Sequence, residues 1–263
     1  MTPATFFTIA IPTFNRAEWL RACLEAILRQ SFADFELIVA DNASTDATPA
    51  VVAALRDPRI QYIRHERNLG GYENFVFCSK LGQGEFLVLH QDDDLLHADF
   101  LRRCHAVAVA RPEVAAYGSM TMAGDAAAGY SASALPDLLH GRFAWPLGDE
   151  PQLVDGKRMA VRFLFSHCVN HPAIALRRTA LAAAGGYGPA PDCYCDLVTI
   201  PRVMAQGVMA YDPRVGGLGR THPAQVRLRS AIMAQKGFSL RRPWCGCCQL
   251  STGRRLTGKP VIS

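Results

Sequence analysis

Three adjacent carboxylates, Asp92-Asp93-Asp94, follow directly on an apolar run, Glu85-Phe86-Leu87-Val88-Leu89-His90. Adjacent carboxylates repel one another unless a cation stands near. Hard oxygen donors at the end of a strand suit Mg²⁺ or Mn²⁺, ions that take few protein ligands and complete their shell with substrate phosphates. The competing reading is a solvated acidic turn leading into the next helix. A second carboxylate, Asp41, also follows an apolar run and opens Asp41-Asn42-Ala43-Ser44-Thr45-Asp46. It can accept from a base N–H or a ribose hydroxyl, or it can simply close the turn with Asn42 and Ser44. Pro12-Thr13-Phe14-Asn15-Arg16 ends a first run, and Arg64-His65-Glu66-Arg67-Asn68-Leu69-Gly70-Gly71 ends another. Gly70-Gly71 permits close backbone approach to a ligand or makes a plain turn.

These polar segments need elements that bring them together. Over the first ~115 residues, strand-like and helix-like patterns alternate, as in a parallel sheet with covering helices. Phe6–Ile11, stopped by Pro12, Phe35–Ala40, Ile60–Ile63 and Glu85–His90 read as strands. Residues 16–30, 46–56, 70–81 and 98–110 read as the intervening helices, and Val114–Tyr117 as a fifth strand. In open parallel sheets, ligands bind beyond the carboxyl ends of the strands, so one cleft would collect all four polar segments. Residues 120–152 are rich in Ala, Gly, Ser and Pro and read as a long loop or mobile insertion. Beyond them, helices are expected over 156–166, 179–184 and 196–206, the last with Pro201 in its first turn, and short strands over 173–176 and 208–211.

The chain has 263 residues, 49% of them hydrophobic, which excludes a disordered polymer. No run of about 18 uncharged apolar residues suggests a membrane span. Residues 1–5 lack a basic and apolar leader, and the nine cysteines are read as mostly reduced thiols of a cytosolic protein. Cys23, Cys78 and Cys104 fall on helix faces and are most simply small core residues. The net charge of +5 is concentrated at one end: six of the 28 Lys and Arg lie in 230–263, leaving 22 against 23 acids in 1–229. A balanced body argues against a nucleic-acid-binding surface. The basic tail either rests on an anionic membrane or has no role. The chain divides accordingly into a catalytic domain over 1–229, with halves 1–118 and 119–229, and the tail 230–263.

Taken in order, Thr8–Arg16, Phe35–Asp46, Asn68-Leu69-Gly70-Gly71 with Asn74, and Gly84-Glu85-Phe86 leading to Asp92-Asp93-Asp94 resemble the conserved segments of family 2 glycosyltransferases, densely over 5–118 and loosely over 155–222. The resemblance implies a GT-A fold, a Rossmann-like and mostly parallel α/β sheet flanked by helices with a less regular acceptor half. It implies inverting transfer of a sugar from a nucleotide-sugar, a UDP-sugar foremost, to a glycan or lipid-linked acceptor hydroxyl in surface polysaccharide or glycolipid synthesis, with Mg²⁺ or Mn²⁺ as cofactor. Pro12, Thr13, Asn15, Arg16, Arg67, Asn68 and Gly70 would line the nucleotide and donor site. Asp41 would bind the base, Asp92 and Asp93 the ribose or sugar, and Asp94 the metal. Asp196, after Cys193-Tyr194-Cys195, would be the general base, with Asp192 in reserve. Cys195 stands where the family commonly has an acid. His222 would be a third metal ligand, or Arg220 a phosphate contact. A helix-capping role competes for Asp196.

Two other functions use the same segments. A sugar-nucleotide nucleotidyltransferase would need a Gly-rich basic loop after the first strand, and Pro12–Arg16 has no glycine. A non-catalytic nucleotide-sugar-binding protein would not need Asp41 and Asp92–Asp94 intact. His167 and His171 are four apart, but Pro172 follows, so a zinc helix is not favoured. Cys193/Cys195 and Cys245/Cys247/Cys248 lack zinc-site spacing.

Overall fold

The computed structural model describes residues 5–125, 150–166, 171–188 and 195–221. The elements are β1 (Phe7–Thr13), α1 (Ala17–Leu28), β2 (Phe35–Asp41), α2 (Thr48–Leu55), β3 (Ile60–Arg64), α3 (Gly71–Ser79), β4 (Phe86–Leu89), β5 (Leu95–Leu96), α4 (Phe100–Ala110), β6 (Val114–Asp125), β7 (Gln152–Asp155), α5 (Gly156–Ser166), β8 (Ile174–Arg177), α6 (Arg178–Ala183), α7 (Cys195–Met204) and β9 (Val208–Thr221). The sheet runs β3-β2-β1-β4-β8-β6-β9-β5, with β7 on β9. β1 to β4 pair in parallel, as do β6 and β9, while β8 joins the two groups by antiparallel pairing with β4 and β6.

The inner strands are apolar along their whole length because both faces are covered. Phe7, Ile9, Ile11, Leu37 and Val39 pack with Leu20, Leu24 and Ile27 of α1 and Phe100 and Cys104 of α4. Ala10, Ala40, Leu87 and Leu89 face α3, α5 and α7 through Phe75, Phe163 and Ile200. Cys23, Cys78 and Cys104 are buried free thiols.

Three expectations change. β1 continues through Pro12, which pairs with Ala40 of β2. Pairing with β4 ends at Ala10, so the missing proline N–H is not needed on that side. Residues 120–125 are strand rather than loop, because β9 extends to Thr221 and pairs with β6 as far as Asp125. Pro201 lies inside α7 rather than in its first turn. The helix tolerates it because Ile200, Val203 and Met204 are buried in the core around it. The segment 126–149, the residues Asp192, Cys193 and Tyr194, and the basic tail lie outside the described residues. No helix among the described residues is long and apolar enough to cross a membrane.

Candidate active site

The strand order reverses beside β1, between β2 on one side and β4 on the other, which is where open α/β sheets hold ligands. Thr13 and Asp41 are register partners at the ends of β1 and β2. On the other side of β1, the chain leaving β4 turns through Asp92-Asp93-Asp94. The Thr13 hydroxyl donates to Asp92 Oδ2 at 2.7 Å. Arg16 Nη1 lies 2.5 Å from Asp93 Oδ2 and 3.5 Å from Asp92 Oδ1. The three aspartates are only 5%, 5% and 6% exposed, so they are not a solvated turn. Burial pushes the Asp92 carboxyl up to about 7, against the pull of Arg16 and with help from Asp93. Burial, then Asp93, holds Asp94 well above the usual carboxylate range. The Arg16 guanidinium is raised: burial lowers it, but Asp92 and Asp93 outweigh burial.

Arg220, the alternative phosphate contact, lies against the acidic turn. Its backbone N–H donates to Asp94 Oδ1 at 3.0 Å, its Nε donates to the Asp93 carbonyl, and its Nη2 donates to the carbonyls of Trp19 at 3.0 Å and Asp92 at 3.5 Å. The guanidinium lies over the Trp19 ring, 5.0 Å from its centroid. Below the turn, the Cys23 thiol donates to the Gln91 carbonyl at 3.5 Å. The acidic turn is therefore held at its backbone carbonyls by Arg220 and Cys23, while its carboxylates meet Thr13, Arg16 and the Arg220 N–H. Arg220 and Cys23 enter the site from 128 and 68 residues away, a distance no local pattern reports.

The loops after β1, β2 and β3 brace one another. Asp41 is fully buried; its Oδ1 accepts the Ser44 N–H at 2.9 Å, and its Oδ2 accepts the Tyr62 hydroxyl. Arg64 Nε lies 3.5 Å from the same oxygen, and its Nη2 donates to the Ser44 carbonyl at 2.9 Å. Asn15, at φ 52°, donates its N–H to Ser44 Oγ and accepts the Thr45 N–H. Asn42 is 1% exposed and holds the next loop: its Nδ2 donates to Asn68 Oδ1 at 2.8 Å and to the Gly70 carbonyl at 3.1 Å, and its Oδ1 accepts the Leu69 N–H at 2.8 Å. Asn74 donates to the Ala40 carbonyl at 2.8 Å. Asn15 and Asn68 thus shape the loops through their side chains. Arg67 is exposed, as are Phe14 and Leu69 at the mouth of the cleft. Asn42 and Arg64 stood in the polar segments expected at the cleft, but Tyr62 was not legible as a site residue; only the alternation that places it on the same face of β3 as Arg64 hints at it.

Asp196 opens α7, half-buried, with its Oδ1 accepting the Leu197 N–H. It does not cap the helix from outside, because α7 already begins at Cys195. His222 lies outside the described residues. No group of three or more His, Cys, Asp and Glu among the described residues is arranged to hold a metal ion. The donors still suit a hard divalent cation that binds few protein ligands, since buried carboxylate oxygens with raised proton affinity are short of positive charge.

The model of Glycosyl transferase family 2 matches residues 8–183, two-thirds of the chain, including Thr13, Asp41 and Asp92–Asp94. The chain belongs to glycosyltransferase family 2. This glycosyltransferase is 29% identical over 233 residues to a PGL/p-HBAD biosynthesis glycosyltransferase of Mycobacterium tuberculosis, covering 83% of this chain and 80% of that protein. It is 35% identical over 98 residues to the succinoglycan biosynthesis protein ExoO of Rhizobium meliloti, covering 36% of this chain and only 28% of that one. TarS of S. aureus, residues 1–349 in complex with UDP, superposes with a TM-score of 0.63 at 17% identity, over 88% of this chain and 64% of that one. The mannosyltransferase PcManGT of Pyrobaculum calidifontis, in complex with GDP-Man and Mn²⁺, superposes with a TM-score of 0.57 at 18% identity, over 88% of this chain and 62% of that one. The glycosyltransferase therefore has the GT-A fold, and the described part of its second half is built on β6–β9 and α5–α7.

Proposed function

We propose that this glycosyltransferase transfers a sugar, with inversion, from a nucleoside-diphosphate sugar to an acceptor hydroxyl, with a divalent metal as cofactor. The observation that carries the reading is the buried acidic turn at the strand-order reversal, joined through Thr13 to the strand whose register partner is Asp41. In this reading Asp41 accepts from the base, with Pro12, Asn15, Arg67, Asn68 and Gly70 shaping the pocket around the nucleotide. Arg16, charged at any working pH, faces the phosphates and Asp93. Asp92 and Asp93 orient the ribose and sugar. Asp94 holds the metal, with His222 as a candidate third ligand. Bound there, Mg²⁺ or Mn²⁺ supplies charge neutralisation of the departing diphosphate.

Asp196 acts as general base. The acceptor oxygen attacks the anomeric carbon as the bond from that carbon to the phosphate oxygen breaks. The hydroxyl proton passes to the Asp196 carboxylate, and the bonding pair leaves with the nucleoside diphosphate. Relatives named for succinoglycan and PGL/p-HBAD biosynthesis support a glycan or glycolipid acceptor. The UDP and GDP-Man complexes of the structural neighbours support a uridine or guanosine donor.

The test is a thermal-shift panel of UDP, GDP, CDP and ADP, each with Mn²⁺, Mg²⁺ or EDTA, since a ligand of the folded state raises its melting temperature. At least one nucleotide should stabilise the protein only with metal, and Asp94→Asn should abolish that shift. Stabilisation that is indifferent to EDTA would overturn the metal assignment. Product analysis with the matching nucleotide-sugar then reads inversion and the role of Asp196 through Asp196→Asn.

A further inference from the structure

The carboxylate of Asp41 is fully buried yet well supplied with donors. The Ser44 N–H takes Oδ1, the Tyr62 hydroxyl takes Oδ2, and Arg64 Nε stands 3.5 Å from Oδ2. A carboxylate offers about four acceptor positions. With three donors around it the carboxylate keeps an acceptor position but no exposed surface, so a base reaches Asp41 only where one of these groups gives way, and the three are not equally free to yield. The Ser44 N–H belongs to the turn itself. Arg64 is anchored to the Ser44 carbonyl at 2.9 Å. Tyr62 is half-buried and meets Asp41 through its hydroxyl, which a change of side-chain rotamer would withdraw without moving the backbone. Register explains the contact: Tyr62 pairs with Val39 and Arg64 with Asp41, so Tyr62, Arg64 and Asp41 share a face of the sheet. The phenol is a lasting donor, since burial and then the bond to Asp41 push its proton affinity up.

We propose that Tyr62 stands in for the nucleobase: its hydroxyl occupies the Asp41 oxygen of the empty site and yields it to a base ring N–H when donor binds. The proposal rests on the base-binding reading of Asp41. Its chemistry sets the class of base. Uracil N3 and guanine N1 carry a hydrogen and can replace the phenol. The corresponding ring nitrogens of cytosine and adenine are acceptors and would face the carboxylate lone pair to lone pair, so even with their exocyclic amino groups these bases replace the phenol less well. Tyr62 thus keeps a buried carboxylate satisfied in the empty enzyme and adds to the discrimination between bases, because the wrong base repays less of the bond it breaks.

The experiment compares wild type, Tyr62→Phe and Asp41→Asn by calorimetry with UDP, GDP and CDP, and by thermal melting without ligand. With the stand-in removed, UDP or GDP, whichever wild type prefers, binds Tyr62→Phe on the order of fivefold tighter, the size of one ordinary hydrogen bond. CDP gains less, and the free variant melts lower than wild type. Opposite signs for free stability and nucleotide affinity are what a merely supporting tyrosine would not give. Weaker or unchanged UDP and GDP binding in a folded Tyr62→Phe overturns the proposal. Asp41→Asn separates the two levels. If it erases the preference over CDP while Tyr62→Phe fails to tighten binding, only the stand-in is wrong. If it leaves that preference intact, the base-binding reading of Asp41 has failed and the proposal with it.

Discussion

The Thr13 hydroxyl and Asp92 Oδ2 lie 2.7 Å apart and 79 residues apart in the chain. This bond fastens the end of β1 to the acidic turn after β4. Thr13→Val keeps the shape and removes the donor, leaving a buried carboxylate oxygen without it. The expected cost is about 1–3 kcal/mol in stability. The Thr13 bond also lowers the Asp92 carboxyl, so its loss moves that group further above about 7. Chemical denaturation and a pH profile of nucleotide binding check both effects. An unchanged profile in the valine variant would show that the bond does not tune Asp92.

Asp92 itself sets a pH dependence. Its folded value is about 7, against ~3.9 for an unfolded aspartate. Between the two, the folded chain binds more protons than the unfolded one. Its stabilising contribution is therefore complete below ~4 and is lost as pH rises through about 7. The ligand-free protein should lose stability over that interval, and Asp92→Asn should flatten the slope. Nucleotide with Mn²⁺, which uses the ionised form, should bind more tightly over the same rise. Melting curves at several pH values, with and without UDP and Mn²⁺, read both trends.

Asp94→Asn should separate stability from binding. Asparagine can still accept the Arg220 N–H through its oxygen, but it removes one of three crowded buried charges. The free variant is expected to gain about 1 kcal/mol while losing metal-dependent nucleotide binding, the exchange common at functional sites. A variant that melts well below wild type would mean that the carboxylate is structurally required.

Asp212 behaves in the opposite way. It is buried and bonded by Arg103 Nη1 at 3.1 Å, the Tyr117 hydroxyl at 2.5 Å and Arg214 Nε at 2.8 Å. Burial pushes its carboxyl up, but Arg214, Arg103 and Tyr117 together hold it below the usual range. Asp212→Ala strands buried Arg103 and should cost about 3–5 kcal/mol. Because the folded value is depressed, this stabilisation is present above ~3.9 and is lost as pH falls through the folded value. The stability gap between wild type and Asp212→Asn should therefore shrink in acid, in a window below that of Asp92.

Ala43 sits at φ 64°, a left-handed conformation that costs a non-glycine residue about 1–2 kcal/mol. Glycine pays back part of this through its greater freedom in the unfolded chain. Ala43→Gly should therefore stabilise the protein by up to about 1 kcal/mol, measured by denaturant titration. Loss of stability would mean that the alanine methyl makes packing that outweighs the strain.

The donor half was legible because its signals are local. β1, β2 and β4 are apolar runs that stop at Pro12-Thr13, Asp41 and Asp92, and parallel pairing puts those stops side by side. Of the long pair β6 and β9, only the starts at Val114–Tyr117 and 208–211 were legible. Met120–Asp125 and Pro213–Thr221 are rich in glycine and turn residues, and only their mutual pairing makes them strands. The bracing of the site also escaped sequence reading. Asn42 looks like a turn residue until Asn68 and Gly70 are beside it, and nothing local to Arg220 announces that its guanidinium lies against Trp19 and the carbonyls of the acidic turn.

The grip of Arg220 on Asp92–Asp94 has a consequence for how the enzyme is made. A ribosome delivers β1 through β4 long before residue 220, so the nascent first half waits with its acidic turn lacking the Arg220 contacts. β5 is in the same position, since its pairing partner is β9. Fragments ending before β9 should carry the acidic turn without its Arg220 clamp, so the last of the described strands to emerge completes a turn made more than a hundred residues earlier.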